Sequence, residues 1–199
     1  MPQGFIPPED FPLAPPLAEA QERPKEDQLY LAGGCFWCVE AVFAQLDANL
    51  QLVSGYCGGT AATATYEQVC RGQTQHAETL QITFVPDQIS REALLRVFFS
   101  LAHDPTQWQR QGADRGPQYR SAIFYRNTAE EQQLRAYIDQ LNALPAFAQP
   151  IVTQLEPFAG FFPAEIEHQG YAARHPQQPY IQAVAQPKVE AVRAFLQRQ

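Results

Sequence analysis

Gln28-Leu29-Tyr30-Leu31-Ala32-Gly33-Gly34-Cys35-Phe36-Trp37-Cys38-Val39-Glu40-Ala41-Val42-Phe43 is the stretch on which the fold turns. Leu29, Tyr30, Leu31 and Ala32 are apolar at successive positions, which predicts a short strand over 28–33 covered on both faces. Gly33 and Gly34 break it. From Phe36 the period lengthens, and Val39, Val42, Phe43 and Leu46 share one helical face. Cys35 therefore stands at a strand-to-helix junction, at a helix N-terminus.

Outward from this junction the two periods alternate. Leu50 to Tyr56 reads as a second apolar strand. Over 79–85, Leu80, Ile82 and Phe84 fall on one face of a third. Ser90 caps a helix carrying Leu94, Leu95, Phe98 and Leu101. Residues 103–117, with Gly112, Gly116 and two prolines, read as loop. A buried strand is expected over 120–126, and a short one over 151–155. Thr128 and Glu131 form a capping box ahead of Leu134, Ile138 and Leu141. Pro187 to Leu196 reads as a terminal helix. The expected fold class is α+β, an α/β sandwich, with helices packed on a central mixed sheet. Residues 28–199 form one catalytic domain. Met1 to Asp27, rich in proline and acids and without a period, reads as a solvated extension laid in part on the domain surface.

Composition narrows the function classes. With 199 residues and 45% hydrophobic content the chain can bury a core. A net charge of −7 argues against broad binding to nucleic acid or anionic membranes. No apolar run reaches the roughly 20 residues of a membrane helix, and the start lacks a signal-peptide pattern. Four cysteines, Cys35, Cys38, Cys57 and Cys70, are too few for a disulfide scaffold of this size. A close cysteine pair in a reducing compartment is more often catalytic or metal-binding, so the expected location is cytoplasmic.

A thiol attacks as the thiolate, and a helix N-terminus favours that anion. Cys35 meets this condition, and Gly33-Gly34 leaves room for a substrate. Phe36 and Trp37, two large aromatics at a helix start, cannot both enter one core. They offer a wall for an apolar group beside the sulfur, and a thioether methyl suits such a wall. Glu78 shares parity with Leu80, Ile82 and Phe84, so it points toward the apolar face. Burial raises a carboxyl's pKa, and a neutral acid can donate to a polar oxygen.

Gly34-Cys35-Phe36-Trp37 resembles the signature of the A-type peptide methionine sulfoxide reductases. The likeness continues in order through Tyr66-Glu67-Gln68-Val69-Cys70 and Gly72-Gln73-Thr74-Gln75-His76-Ala77-Glu78. Arg110 to Ser121, then Ala164-Glu165 with His168-Gln169 and Tyr171, complete it. The resemblance covers roughly residues 28 to 190. It implies that Tyr66 and Tyr119 donate to a sulfoxide oxygen beside the acid Glu78, and that Asp114 contacts the substrate backbone. Phe36 and Trp37 would hold the S-methyl group. It also implies reduction of the S epimer, in protein-bound and free methionine sulfoxide, through a Cys35 sulfenic acid. A second thiol makes a disulfide that thioredoxin reduces. No bound cofactor or metal is implied, and a monomer is expected. For His76 and His168 a structural hydrogen-bonding role is favoured over direct catalysis.

Two positions depart from the family pattern. Gln75 stands where glycine is usual. His175-Pro176-Gln177-Gln178-Pro179-Tyr180 resembles the segment leading many members to a resolving cysteine, but Ile181 follows, and no cysteine occurs after Cys70. Cys38, one helical turn from Cys35, is the first candidate resolving thiol. Cys57, in Tyr56-Cys57-Gly58-Gly59 after the second strand, is the alternative, and an external thiol remains open. A thioredoxin-like oxidoreductase using Cys35-x-x-Cys38 is the rival reading, although it leaves the later blocks unexplained. A zinc module is disfavoured because no second cysteine or histidine pair has ligand spacing.

Overall fold

The computed structural model describes residues 11–17, 24–46, 48–145 and 147–198. The expected strand–turn–helix opens the domain as β1 (Asp27–Gly33) and α1 (Phe36–Phe43). Next come β2 (Gln51–Cys57), α2 (Tyr66–Cys70), β3 (Ala77–Phe84) and α3 (Arg91–Val97). A wider π-type turn, Phe98–Ala102, prolongs α3. The stretch read as loop holds a two-residue hairpin, β4 (Arg110–Gln111) and β5 (Asp114–Arg115), turning at Gly112 with φ +62°. The chain continues through β6 (Ser121–Tyr125), α4 (Thr128–Asn142), β7 (Gln154–Pro157) and β8 (Phe161–Pro163). A short α5 (Tyr171–Arg174) and the terminal α6 (Gln186–Leu196) close it.

The central sheet has the order β7-β6-β1-β3-β2-β8. Its pairs are antiparallel except β6 with β7, which α4 connects as a crossover. The sheet is therefore mixed, and the fold is α+β as expected. Leu29, Leu31, Leu80, Ile82 and Phe84 line one face. Val39, Val42 and Phe43 of α1, Leu94 and Leu95 of α3, Leu134 of α4 and Val192 of α6 cover it. Tyr30, Ala32, Cys57, Ala77, Ala122 and Phe124 line the other face under Phe158 and Phe161. Strand β1 is thus buried on both sides, which is why its sequence shows no alternation.

Three local expectations shift. Ser90 caps α3 by accepting from Ala93 N–H (3.1 Å), as read. The cap of α4, however, is Asn127, which accepts from Glu130 N–H (2.9 Å), while the Glu130 carboxylate accepts from Arg126 N–H (2.8 Å). The reciprocal box is thus one residue earlier than Thr128 and Glu131. Glu130 is held there because it also pairs with Arg91 and Arg126. The strand expected over 151–155 lies at 154–157. In the N-terminal stretch, residues 11–17 lie on the domain, and Phe11 and Ala14 are buried in its main core. Tyr137 Oη and Gln133 Nε2 donate to the carbonyls of Pro12 and Pro15, which fixes this stretch on α4. Residues 1–10 and 18–23 of the same stretch fall outside the described residues.

Candidate active site

Gly34 turns β1 into α1 with φ +92°, and a Cβ there would lie 2.6 Å from the Gln111 side chain. Only glycine combines that conformation with that approach. Cys35 follows as the N-cap of α1, and it accepts from the N–H groups of Cys38 (3.0 Å) and Val39 (3.3 Å) through its carbonyl. Its side chain makes no capping bond. The free Phe36 N–H donates instead to Glu78 Oε2 (3.0 Å). The helix terminus therefore serves the acid rather than the sulfur.

This corrects the expected electrostatics of the nucleophile. Burial raises the Cys35 thiol well above the usual range, and Cys38 beside it adds to the rise. Cys38 is lowered, first by its bond to Cys35, and also by the Lys188 ammonium. Cys35 and Cys38 share one buried cluster with Ala41, Ile181, Ala185 and Val189, flanked by Trp37, Tyr119 and Tyr180.

Glu78 is 2% exposed and lies on the helix-covered face of β3, as its parity requires. Burial pushes its carboxyl up to about 8, against the opposing bond from Phe36 N–H. It is therefore largely a neutral acid at pH 7. Burial also raises the Tyr66 and Tyr119 phenols, and Glu78 and Cys35 lie near enough to add to both. Both remain O–H donors throughout the physiological range.

Phe36 is fully buried with Tyr56, Val69 and Ala164, while Trp37 is half-buried between this cluster and the cysteines. Trp37 stacks on Tyr171 (centroids 3.8 Å, 12°), and His168 and Tyr66 flank it at 5.7 and 6.2 Å. Tyr180 meets its edge at 6.2 Å. Glu165 positions this aromatic group: its two carboxylate oxygens accept from Tyr66 N–H and Tyr56 Oη, both at 2.9 Å. Gln169 clamps Ser54 of β2 through its N–H and carbonyl, and Glu40 accepts from Gly170 N–H. These bonds fasten the segment carrying His168 and Tyr171 onto α1 and β2.

Of the sequence-derived residues, the fold brings together Cys35, Cys38, Glu78, Tyr66, Tyr119, Phe36 and Trp37. Asp114 joins them by accepting from Tyr180 Oη. Cys57 is not among them. It follows Tyr56 in β2 and so faces the other side of the sheet, where it is fully buried and its thiol is pushed up to about 12 by burial. His76 has the structural role favoured for it: its ring nitrogens bond the backbone of Gly59 and Thr60. His168 packs by stacking on Tyr66 and Trp37, and among the described residues its Nδ1 has no hydrogen-bond partner. Glu165, Tyr171 and Tyr180 were not picked out as individual site residues by the sequence reading.

The family profile described as peptide methionine sulfoxide reductase matches residues 27–199. The chain belongs to this family. Peptide methionine sulfoxide reductase MsrA of Deinococcus radiodurans is 48% identical over 170 residues, 85% of this chain and 82% of that one. The reduced form of Mxr1 from Saccharomyces cerevisiae superposes with a TM-score of 0.72 at 32% identity, covering 81% of this chain and 94% of that one. A structure of the same yeast protein in complex with Trx2 matches with a TM-score of 0.52 at 25% identity, over 78% and 91% of the two chains. As an A-type methionine sulfoxide reductase, the chain has the dithiol-exchange reading against it. Among the described residues no helix is long and apolar enough to cross a membrane.

Proposed function

We propose that this reductase acts on the S epimer of methionine sulfoxide, free or in protein chains, with Cys35 as nucleophile and Glu78 as acid. The observation that carries the reading is a buried, largely neutral carboxyl in the same closed site as the Cys35 thiol. Sulfoxide sulfur is electrophilic, but its oxygen leaves only when negative charge on it is relieved. Glu78 supplies a proton, and the Tyr66 and Tyr119 hydroxyls stabilise the developing charge. Phe36 and Trp37 hold the S-methyl group, and Asp114 accepts from the substrate backbone. Substrate binding has to favour the Cys35 thiolate, because the resting pocket does not. The Cys35 sulfur attacks, the S–O bond of the substrate breaks, the oxygen ends on Cys35 as a sulfenic acid, and the proton lost by the Cys35 thiol restores that of Glu78. The substrate gains the two electrons that Cys35 loses.

Cys38 is the resolving thiol of this cycle, since it shares the Cys35 pocket and Cys57 lies across the sheet. A Cys35–Cys38 disulfide forms with loss of water. A thioredoxin then reduces it in the cytoplasm, and the yeast relative's complex with Trx2 supports that partner. The enzyme works as a monomer.

Turnover on separated epimers tests the reading. Only the S epimer should be reduced at an appreciable rate; equal rates on both, or preference for R, would refute it. Trp37→Ala should raise KM about tenfold, the worth of roughly 1.4 kcal/mol of aromatic contact. The same variant should narrow the discrimination between epimers. Unchanged KM and selectivity would mean that Trp37 only fills space.

A further inference from the structure

Tyr180 belongs to no step described so far, yet its hydroxyl lies between two groups of the site. The Cys38 thiol donates to Tyr180 Oη at 3.8 Å. Tyr180 Oη donates in turn to Asp114 Oδ2. Cys35 packs with Tyr180 in the same buried cluster. The donor directions thus form one chain, from thiol to phenol to carboxylate. A groove of about 270 Å³, lined by Gly112, Asp114, Tyr180, Val184, Pro187 and Lys188, adjoins its carboxylate end.

We infer that Tyr180 and Asp114 form a proton relay that activates Cys38 for attack on the Cys35 sulfenic acid. The inference rests on Cys38 being the resolving thiol and gives that half-reaction its base. As the Cys38 sulfur approaches Cys35, its proton moves to Tyr180 Oη and the Tyr180 proton moves to Asp114. The S–S bond forms, and the S–O bond of the sulfenic acid breaks. The departing hydroxide takes the Glu78 proton and leaves as water. Cys38 is oxidised, the sulfenic sulfur of Cys35 is reduced, and Asp114 and Glu78 re-equilibrate their protons with solvent. Relayed deprotonation matters here because only a thiolate displaces oxygen from sulfur efficiently. Lys188, whose Nζ is held by the Ala102 carbonyl (2.7 Å), adds a fixed positive charge that favours the Cys38 thiolate. The relay also gives Asp114 a second task, performed once the product has left. Tyr180 is a catalytic residue of disulfide formation, 142 positions from the thiol it serves.

The test separates the two half-reactions. A single turnover at saturating methionine sulfoxide oxidises Cys35, and closure is timed from methionine release, so that weaker binding in an Asp114 variant does not enter. Disulfide formation is followed by loss of dimedone-reactive sulfenic acid and by peptide mapping. Tyr180→Phe keeps the ring and removes only the hydroxyl. It should slow closure of the Cys35–Cys38 disulfide by about 10²-fold, the usual scale for general base catalysis. A dimedone adduct on Cys35 should accumulate. Asp114→Asn should do the same, and it provides the readout if Tyr180→Phe does not fold.

A purely structural loss would lower the rate equally at every pH. Without the relay, the rate should instead climb about tenfold per pH unit as the thiolate fraction grows, while the wild type changes much less. The groups facing the relay include Cys35 at the N-cap of α1, Cys38 of α1, Glu78 of β3, Asp114 of β5, Tyr119 and Lys188 of α6. The Tyr180→Phe profile should be steeper than that of the wild type against this common background. Wild-type closure rates in both variants would overturn the relay and leave Cys38 as resolving thiol. Absence of a Cys35–Cys38 disulfide in the oxidised wild type would overturn both.

Discussion

Replacing Cys35 by serine is expected to lower sulfoxide reduction by a factor on the order of 10⁴ or more, the scale seen when a covalent nucleophile is lost. Serine keeps the shape and the N-cap position. It cannot form the sulfenic acid that carries the oxygen away, and its hydroxyl is far less acidic than a thiol. The fold should persist, because Cys35 adds little to the core and its carbonyl bonds to Cys38 and Val39 do not involve the side chain. Methionine release from methionine sulfoxide, together with near-UV circular dichroism, checks both parts. Near wild-type turnover in Cys35→Ser would remove the nucleophile assignment.

Glu78→Gln should slow the chemical step about 10²-fold or more, the range of general acid catalysis, with little change in binding. Glutamine can still accept from Phe36 N–H but has no acidic proton. Single-turnover kinetics read this directly, and an unchanged chemical rate would leave Glu78 a structural role only. The pH dependence carries two signs. The reduction step should weaken as pH rises through about 8, where Glu78 loses its proton. Stability follows the same group. The folded protein holds the proton to about pH 8, whereas an unfolded chain releases it near 4.5, so the folded state binds more protons across that window. Stability attributable to Glu78 is intact below 4.5 and falls as pH rises through about 8. The glutamine variant should lose this slope and be more stable than the parent above pH 8, with less activity.

Much of this was legible because it is local. The apolar run before Gly33-Gly34 and the longer period after it place Cys35 at the junction. The parity of Glu78 with Leu80, Ile82 and Phe84 buries its carboxyl. Parity also held an unused signal: Cys57 follows Tyr56 in one strand, so the two cannot face the same side. What stayed hidden depends on contacts distant in sequence or on competition for one group. Tyr180 meets Cys38 only through the fold, and Glu165 caps Tyr66 from 99 positions away. The helix terminus seemed to promise a lowered Cys35 pKa. The Phe36 N–H goes to Glu78 instead, and burial then decides the sign. Phe11 gave little warning, since scattered aromatics in a proline-rich stretch have no period, yet it reaches the core against α4.

The central claim is that the sulfoxide oxygen is transferred to the Cys35 sulfur. The most direct measurement is a single turnover of the Cys38→Ser variant with the S epimer and no reductant. Methionine is quantified, and the cysteines are mapped after dimedone treatment. One methionine per chain with a dimedone adduct on Cys35 is the predicted result; methionine formed while Cys35 remains an unmodified thiol would contradict it.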